Sequence, residues 1–158
     1  MVFNRTVGLK DAWEEKGKKE ENVINNGLKE INKYFKVNTD EERAAIEKTI
    51  GEGIATITNF SLLQNAFKKN VNNNKTSLQF ANWILKYSTK IKSSDIDTEV
   101  LHKLYSMSLK SESAFVRLQT IQNLKTDIAN FPQFETQLSE LKNTEKNENV
   151  LKLLNEVI

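Results

Sequence analysis

Residues 116–124, Val-Arg-Leu-Gln-Thr-Ile-Gln-Asn-Leu, are answered thirty-four residues later by residues 150–158, Val-Leu-Lys-Leu-Leu-Asn-Glu-Val-Ile. In each copy an apolar residue opens the segment. A second position follows four residues on (Thr120, Leu154), and a pair follows seven and eight residues on (Asn123-Leu124, Val157-Ile158). Steps of four, seven and eight keep to one face of an α-helix. A helical unit that recurs at a period between twenty and fifty residues is the mark of stacked helix pairs, each burying its apolar stripe against its neighbours. Arrays of that kind present surfaces, so the reading points to binding rather than catalysis.

Helical spacing extends outward from this echo over the 158 residues, and no Asn-Gly or Asp-Gly hairpin signal separates alternating runs. Five Gly and one Pro leave room for long helices. Leu9 to Phe35 reads as one broken helix or two, weakened at Gly17 and Gly27. Thr39 and Glu42 form a capping-box signature, with Asp40 and Glu41 in the favoured first turn, and the helix they open runs to about Thr58. Its apolar positions are Ile46, Ile50, Ile54 and Ile57, with Gly53 placed to admit a close neighbour. Ser61 is expected to cap a short helix to about Val71, Thr76 to open one through Tyr87, Asp97 to cap the next, and Ser111 or Ser113 to start one ending at Ala129. Phe131-Pro132 breaks the pattern, because a proline ring disfavours helix in the residue before it. Helices over Gln133–Thr144 and Asn147–Ile158 complete the chain.

The expected fold is therefore all-α, with about eight helices in one domain over 1–158. Residues 1–58 form N-terminal helices, and antiparallel pairs follow near 61–90, 97–129 and 133–158. Val116-Arg117-x-x-Thr120-x-x-Asn123-Leu124 resembles the second helix of a HEAT repeat. The resemblance covers roughly 95–158, with Leu151 standing where the second copy would carry its arginine. It is faint over 61–94 and absent from 1–60. It implies a short HEAT-like α-solenoid, the alternative being an irregular helical bundle, and it carries no particular function, since these repeats are generic scaffolds.

Composition narrows the chemistry. No Cys means no disulfide, thiolate metal site or cysteine nucleophile. His102 is the one histidine, which rules out multi-histidine metal sites and is read as a half-buried structural imidazole on a helix flank. Gly51-Glu52-Gly53 lacks the Lys-Ser/Thr of a phosphate loop. Asp95, Asp97 and Glu99 gather at a helix start, where capping accounts for them. The expectation is a non-enzymatic protein with no catalytic residues, metal or cofactor. Met1–Lys10 has no apolar run of signal-peptide length and no segment could span a bilayer, so the expected compartment is cytoplasmic.

The net charge of +2 conceals an asymmetry. Residues 49–94 hold six Lys against Glu52 alone, and 53–94 hold no acid, whereas 95–158 hold seven bases against ten acids. Within the helix from Thr76, Phe80, Trp83, Ile84 and Tyr87 fall on one arc, while Gln79, Asn82, Lys86 and Lys90 fall on the other. Gln64 and Lys68 occupy the polar side of the preceding helix. These six residues form the candidate partner-binding face, with the aromatics read as core. The expected partner is a protein with an acidic surface, in an adaptor or immunity (antitoxin) role. The alternative is nucleic-acid binding through the same basic stripe, and a homodimer through the apolar C-terminal helix is a further option.

Overall fold

Helix capping sets the frame of the computed structural model, which describes residues 2–158, with side chains from Glu14 onward. Met1 and the side chains of residues 2–13 lie outside the described residues, and so does the reading of Met1–Lys10. Eight α-helices follow in order: α1 (Val2–Tyr34), α2 (Asp40–Thr56), α3 (Phe60–Lys69), α4 (Lys75–Tyr87), α5 (Thr98–Leu109), α6 (Ala114–Asp127), α7 (Phe134–Thr144) and α8 (Glu148–Val157). Short 3-10 turns cover Ser93–Asp95 and Ile128–Asn130, and no strand occurs among the described residues. The fold is all-α.

The abundant asparagines serve as caps. The Oδ1 atoms of Asn59, Asn74 and Asn147 accept backbone N–H groups that open α3, α4 and α8, a role for which Asn is among the best residues. Thr39 caps α2 and Asp97 caps α5 as their sequence positions imply. The start of α3 differs from expectation: Asn59, not Ser61, is the cap, and the helix begins at Phe60. Nor does α1 break. Gly17 is flanked by the helix formers Glu15, Lys16, Lys18 and Lys19, and Gly27 is held by tertiary packing, since a methyl there would sit 2.8 Å from Phe80 Cε2. A methyl at Gly51 would meet the Tyr87 ring at the same range, and one at Gly53, the glycine singled out from sequence, would sit 3.0 Å from Val23 Cγ1.

Consecutive helices pack in pairs, α1 with α2, α3 with α4, α5 with α6 and α7 with α8. The second helix of each pair stacks on the second helix of the next, giving the series α2, α4, α6, α8. One hydrophobic cluster runs through the assembly from Ile24 to Leu154. At its centre lies α4, which touches α1, α2, α3, α5 and α6 and has seven successive buried residues from Leu78 to Ile84. Phe67, Phe80 and Trp83 are in the core, as expected of the aromatics. Edge-on contacts join Trp83 and Phe115 to Tyr34, and Phe131 and Phe134 to Tyr105.

Candidate functional site

Between Leu78 and Ile84 every residue of α4 is buried, and this divides the six candidate residues. Gln79 is 1% exposed and Asn82 0%, which corrects their placement on an outward basic stripe. Gln79 Nε2 donates to the Phe115 carbonyl at 3.4 Å. Asn82 Nδ2 lies within hydrogen-bond range of Ser108 Oγ (3.3 Å) and Thr120 Oγ1 (3.2 Å), and its Oδ1 accepts from Asn123 Nδ2 at 3.0 Å. Asn82 is tolerable in the interior because these partners satisfy it, whereas Gln79 Oε1 and the neighbouring Trp83 Nε1 are buried without a hydrogen-bond partner. Thr120 and Asn123, polar residues at apolar positions of the repeat pattern, were the signal that Asn82 had interior partners.

The polar chain continues outward. Asn123 Oδ1 accepts from Gln119 Nε2, and Gln119 Oε1 accepts from Lys86 Nζ at 3.4 Å. Lys86 Nζ also meets Glu47 Oε2 at 2.9 Å, and the Tyr87 hydroxyl donates to that same oxygen. Lys86 is therefore paired with an acid of α2 that lies just before the acid-poor stretch 49–94. Burial, followed by the Glu47 hydrogen bond and charge, holds the Tyr87 hydroxyl well above the usual phenol range.

Gln64, Lys68 and Lys90 stay at the surface. Gln64 Nε2 donates to the Asp95 carbonyl at 3.0 Å. With Lys68, Gln64 lines a groove whose other wall is Ile96, Asp97 and Val100. Lys90 and Lys92 are exposed on the α4–α5 connection, which Ser88 Oγ shapes by accepting the N–H groups of Lys90 and Ile91. Further grooves border this connection, and Ser93 and Asp127 line two of them. Among the described residues, no carboxylate lies within 4 Å of the Nζ atoms of Lys68, Lys69, Lys90 or Lys92, although Asp95 Oδ2 accepts the Lys92 backbone N–H at 3.0 Å. Lys75 sits 5.2 Å from the Phe35 ring centroid.

Two features differ from the sequence reading or go beyond it. His102 is exposed rather than half-buried, its ring 5.0 Å from that of Phe134, because it sits on the outer side of α5. Asp127, which sequence reasoning did not single out, is 5% exposed and accepts from the Tyr105 hydroxyl (2.9 Å), Ser93 Oγ (3.2 Å) and Asn130 Nδ2 (3.2 Å). Among the described residues no group of three or more His, Cys, Asp or Glu could hold a metal, and no helix is long and apolar enough to cross a membrane. On α8, Val150 and Leu154 are buried and Ile158 is 36% exposed. No protein-family model, curated protein or solved structure matches the chain.

Proposed function

We propose that this chain is a non-enzymatic interaction module that binds an acidic protein partner through Lys68, Lys90 and Lys92. The observation that carries the reading is that the ammonium groups of these lysines, on α3 and the α4–α5 connection, have no carboxylate within 4 Å among the described residues, whereas that of Lys86 is paired with Glu47. Exposed like charges of this kind steer an oppositely charged surface and speed its encounter. Lys without Arg suits such diffuse attraction better than bidentate recognition of phosphate. The HEAT-like reading belongs to the same proposal and is supported by the pairing of consecutive helices and the stacking of α2, α4, α6 and α8. An adaptor or immunity role is the form such a module would take.

The test uses the tagged protein and its Lys68→Glu/Lys90→Glu/Lys92→Glu variant as baits in extracts of the source cells, after matched thermal unfolding shows both folded. A single acidic protein retained by the wild type and lost by the variant supports the proposal. The same protein retained equally by both overturns it. Nucleic acid retained by the wild type alone, with steep loss on adding salt, transfers the face to the alternative reading.

A further inference from the structure

Asp127 poses a problem that its hydrogen bonds do not close. The residue is 5% exposed, and no Lys, Arg or His approaches its carboxylate within 4 Å among the described residues. Three donors, Tyr105 Oη, Ser93 Oγ and Asn130 Nδ2, occupy part of its acceptor capacity, since an ionised carboxylate offers about four lone-pair sites. A buried charge without a counter-charge is costly, and a partner that brings both charge and N–H donors relieves that cost.

The space beside it has matching chemistry. A groove of about 280 Å³ is lined by Asp127, Asn130, Phe131, Ser93 and Ser94, among others, with one acid and no base in its wall. Phe131, 4% exposed and packed against Tyr105 and Phe134, adds an apolar aromatic surface to the groove wall. Asp127 and Ser93 also line the neighbouring groove, whose far wall carries Lys86 and Lys92, but neither ammonium comes within 4 Å of the Asp127 carboxylate. A metal ion lacks a ligand set here, because the described residues hold no group of three metal-binding side chains. An organic cation needs only one carboxylate, hydroxyls and a ring.

We infer that this groove binds a primary ammonium or guanidinium group, paired with Asp127 and lying against Phe131. The inference stands apart from the acidic-partner reading, which uses lysines outside this groove. Two sources offer such a group: a free small amine, or a Lys or Arg side chain of another protein.

Titration of the nitrogen-15-labelled protein with agmatine, with Nα-acetyl-Gly-Arg-Gly-amide and with uncharged 1-butanol separates the possibilities. The expected result is saturable shifts at the amides of Ser93, Ser94 and Asn130 with the cations only. Asp127→Asn should weaken binding at least about tenfold, as loss of a charged hydrogen-bond partner does. Ser94→Lys alters an exposed residue and keeps Asp127 in place; by supplying a competing ammonium it should block the titration in a folded protein. Equal affinities for agmatine and the peptide assign the site to free amines, and tighter binding of the peptide assigns it to a protein side chain. Absence of shifts at these amides, or unchanged affinity in both variants, overturns the inference.

Discussion

Arg117 reaches forward from the first turn of α6 to clasp Glu145 in the turn between α7 and α8. Nη2 and Nε meet the two carboxylate oxygens at 2.9–3.2 Å, and Nη1 donates to the Ser111 carbonyl at 2.7 Å. The arginine of the sequence echo thus ties one helix pair to the next. The side chains are 16% and 3% exposed, so removing one partner strands a buried charge. Arg117→Ala or Glu145→Ala is expected to cost about 3–5 kcal/mol, read as a lowered urea midpoint. Arg117→Lys keeps the charge but loses the planar fork, and should fall between the alanine variant and wild type.

The glycines divide by surroundings. All have negative φ, so an alanine meets no backbone strain. Gly17 has nothing within 4 Å, and Gly17→Ala should stabilise the protein by up to about 1 kcal/mol through helix propensity. Gly51→Ala would place a methyl 2.8–2.9 Å from three atoms of the Tyr87 ring, which Glu47 anchors, and Gly27→Ala would collide with fully buried Phe80. Both should destabilise by about 1–3 kcal/mol as overpacking. Thermal unfolding of the three variants checks the opposite signs.

Glu20 acts as a cap supplied from another helix. Its carboxylate accepts from Thr58 N (2.9 Å), Thr58 Oγ1 (2.8 Å) and Asn59 N (3.2 Å), immediately before α3 begins. Burial pushes its pKa up, but these three donors, helped by the Lys16 charge, outweigh burial and hold it below the ordinary glutamate value. A depressed folded pKa gives stability that is present above the ordinary value and lost as pH falls through the folded one. Glu20→Gln should therefore cost about 1.5–3 kcal/mol at neutral pH. The gap should shrink below about pH 4, a trend that urea midpoints measured across the acid range will show.

All three tyrosines shift the other way. Burial, reinforced by Glu47, pushes Tyr34 up to about 12, while burial with Glu47 raises Tyr87 and burial with Asp127 raises Tyr105 further still. A raised folded pKa means stability that is full below the unfolded value and lost as pH climbs above it. The folded protein should show no tyrosinate absorbance near pH 10, where free phenols are half ionised. Ionisation should instead arrive together with loss of helical circular dichroism, as one transition.

How far the sequence was legible depended on what each residue faced. Capping is local chemistry, so Thr39 and Asp97 could be placed to the residue. Ser61 was a worse guide than Asn59 because both are good caps and only the chain geometry chooses between them. The amphipathic reading of α4 failed for a physical reason. It assumes one partner on one side, yet α4 is buried at every residue from Leu78 to Ile84, so Gln79 and Asn82 turn inward and are matched by Ser108, Phe115, Thr120 and Asn123. Pairing of that kind spans 26 to 41 residues of sequence, and its one trace is the polar Thr120 and Asn123 at apolar positions of the repeat, which names no partner. The charge asymmetry was visible, but Glu47 lay outside the window that defined it, so neutralisation of Lys86 was not.

The central position of α4 bears on how this protein can come apart. In a regular stack of repeats, a terminal unit can peel away at the cost of one interface, and the remainder stays folded. Here one thirteen-residue helix is packed against five others, drawn from both halves of the chain. Cutting before or after it strips apolar surface from its remaining neighbours at once. Cleavage on either side of α4 is therefore expected to unfold both pieces, which circular dichroism of the two separated halves will show.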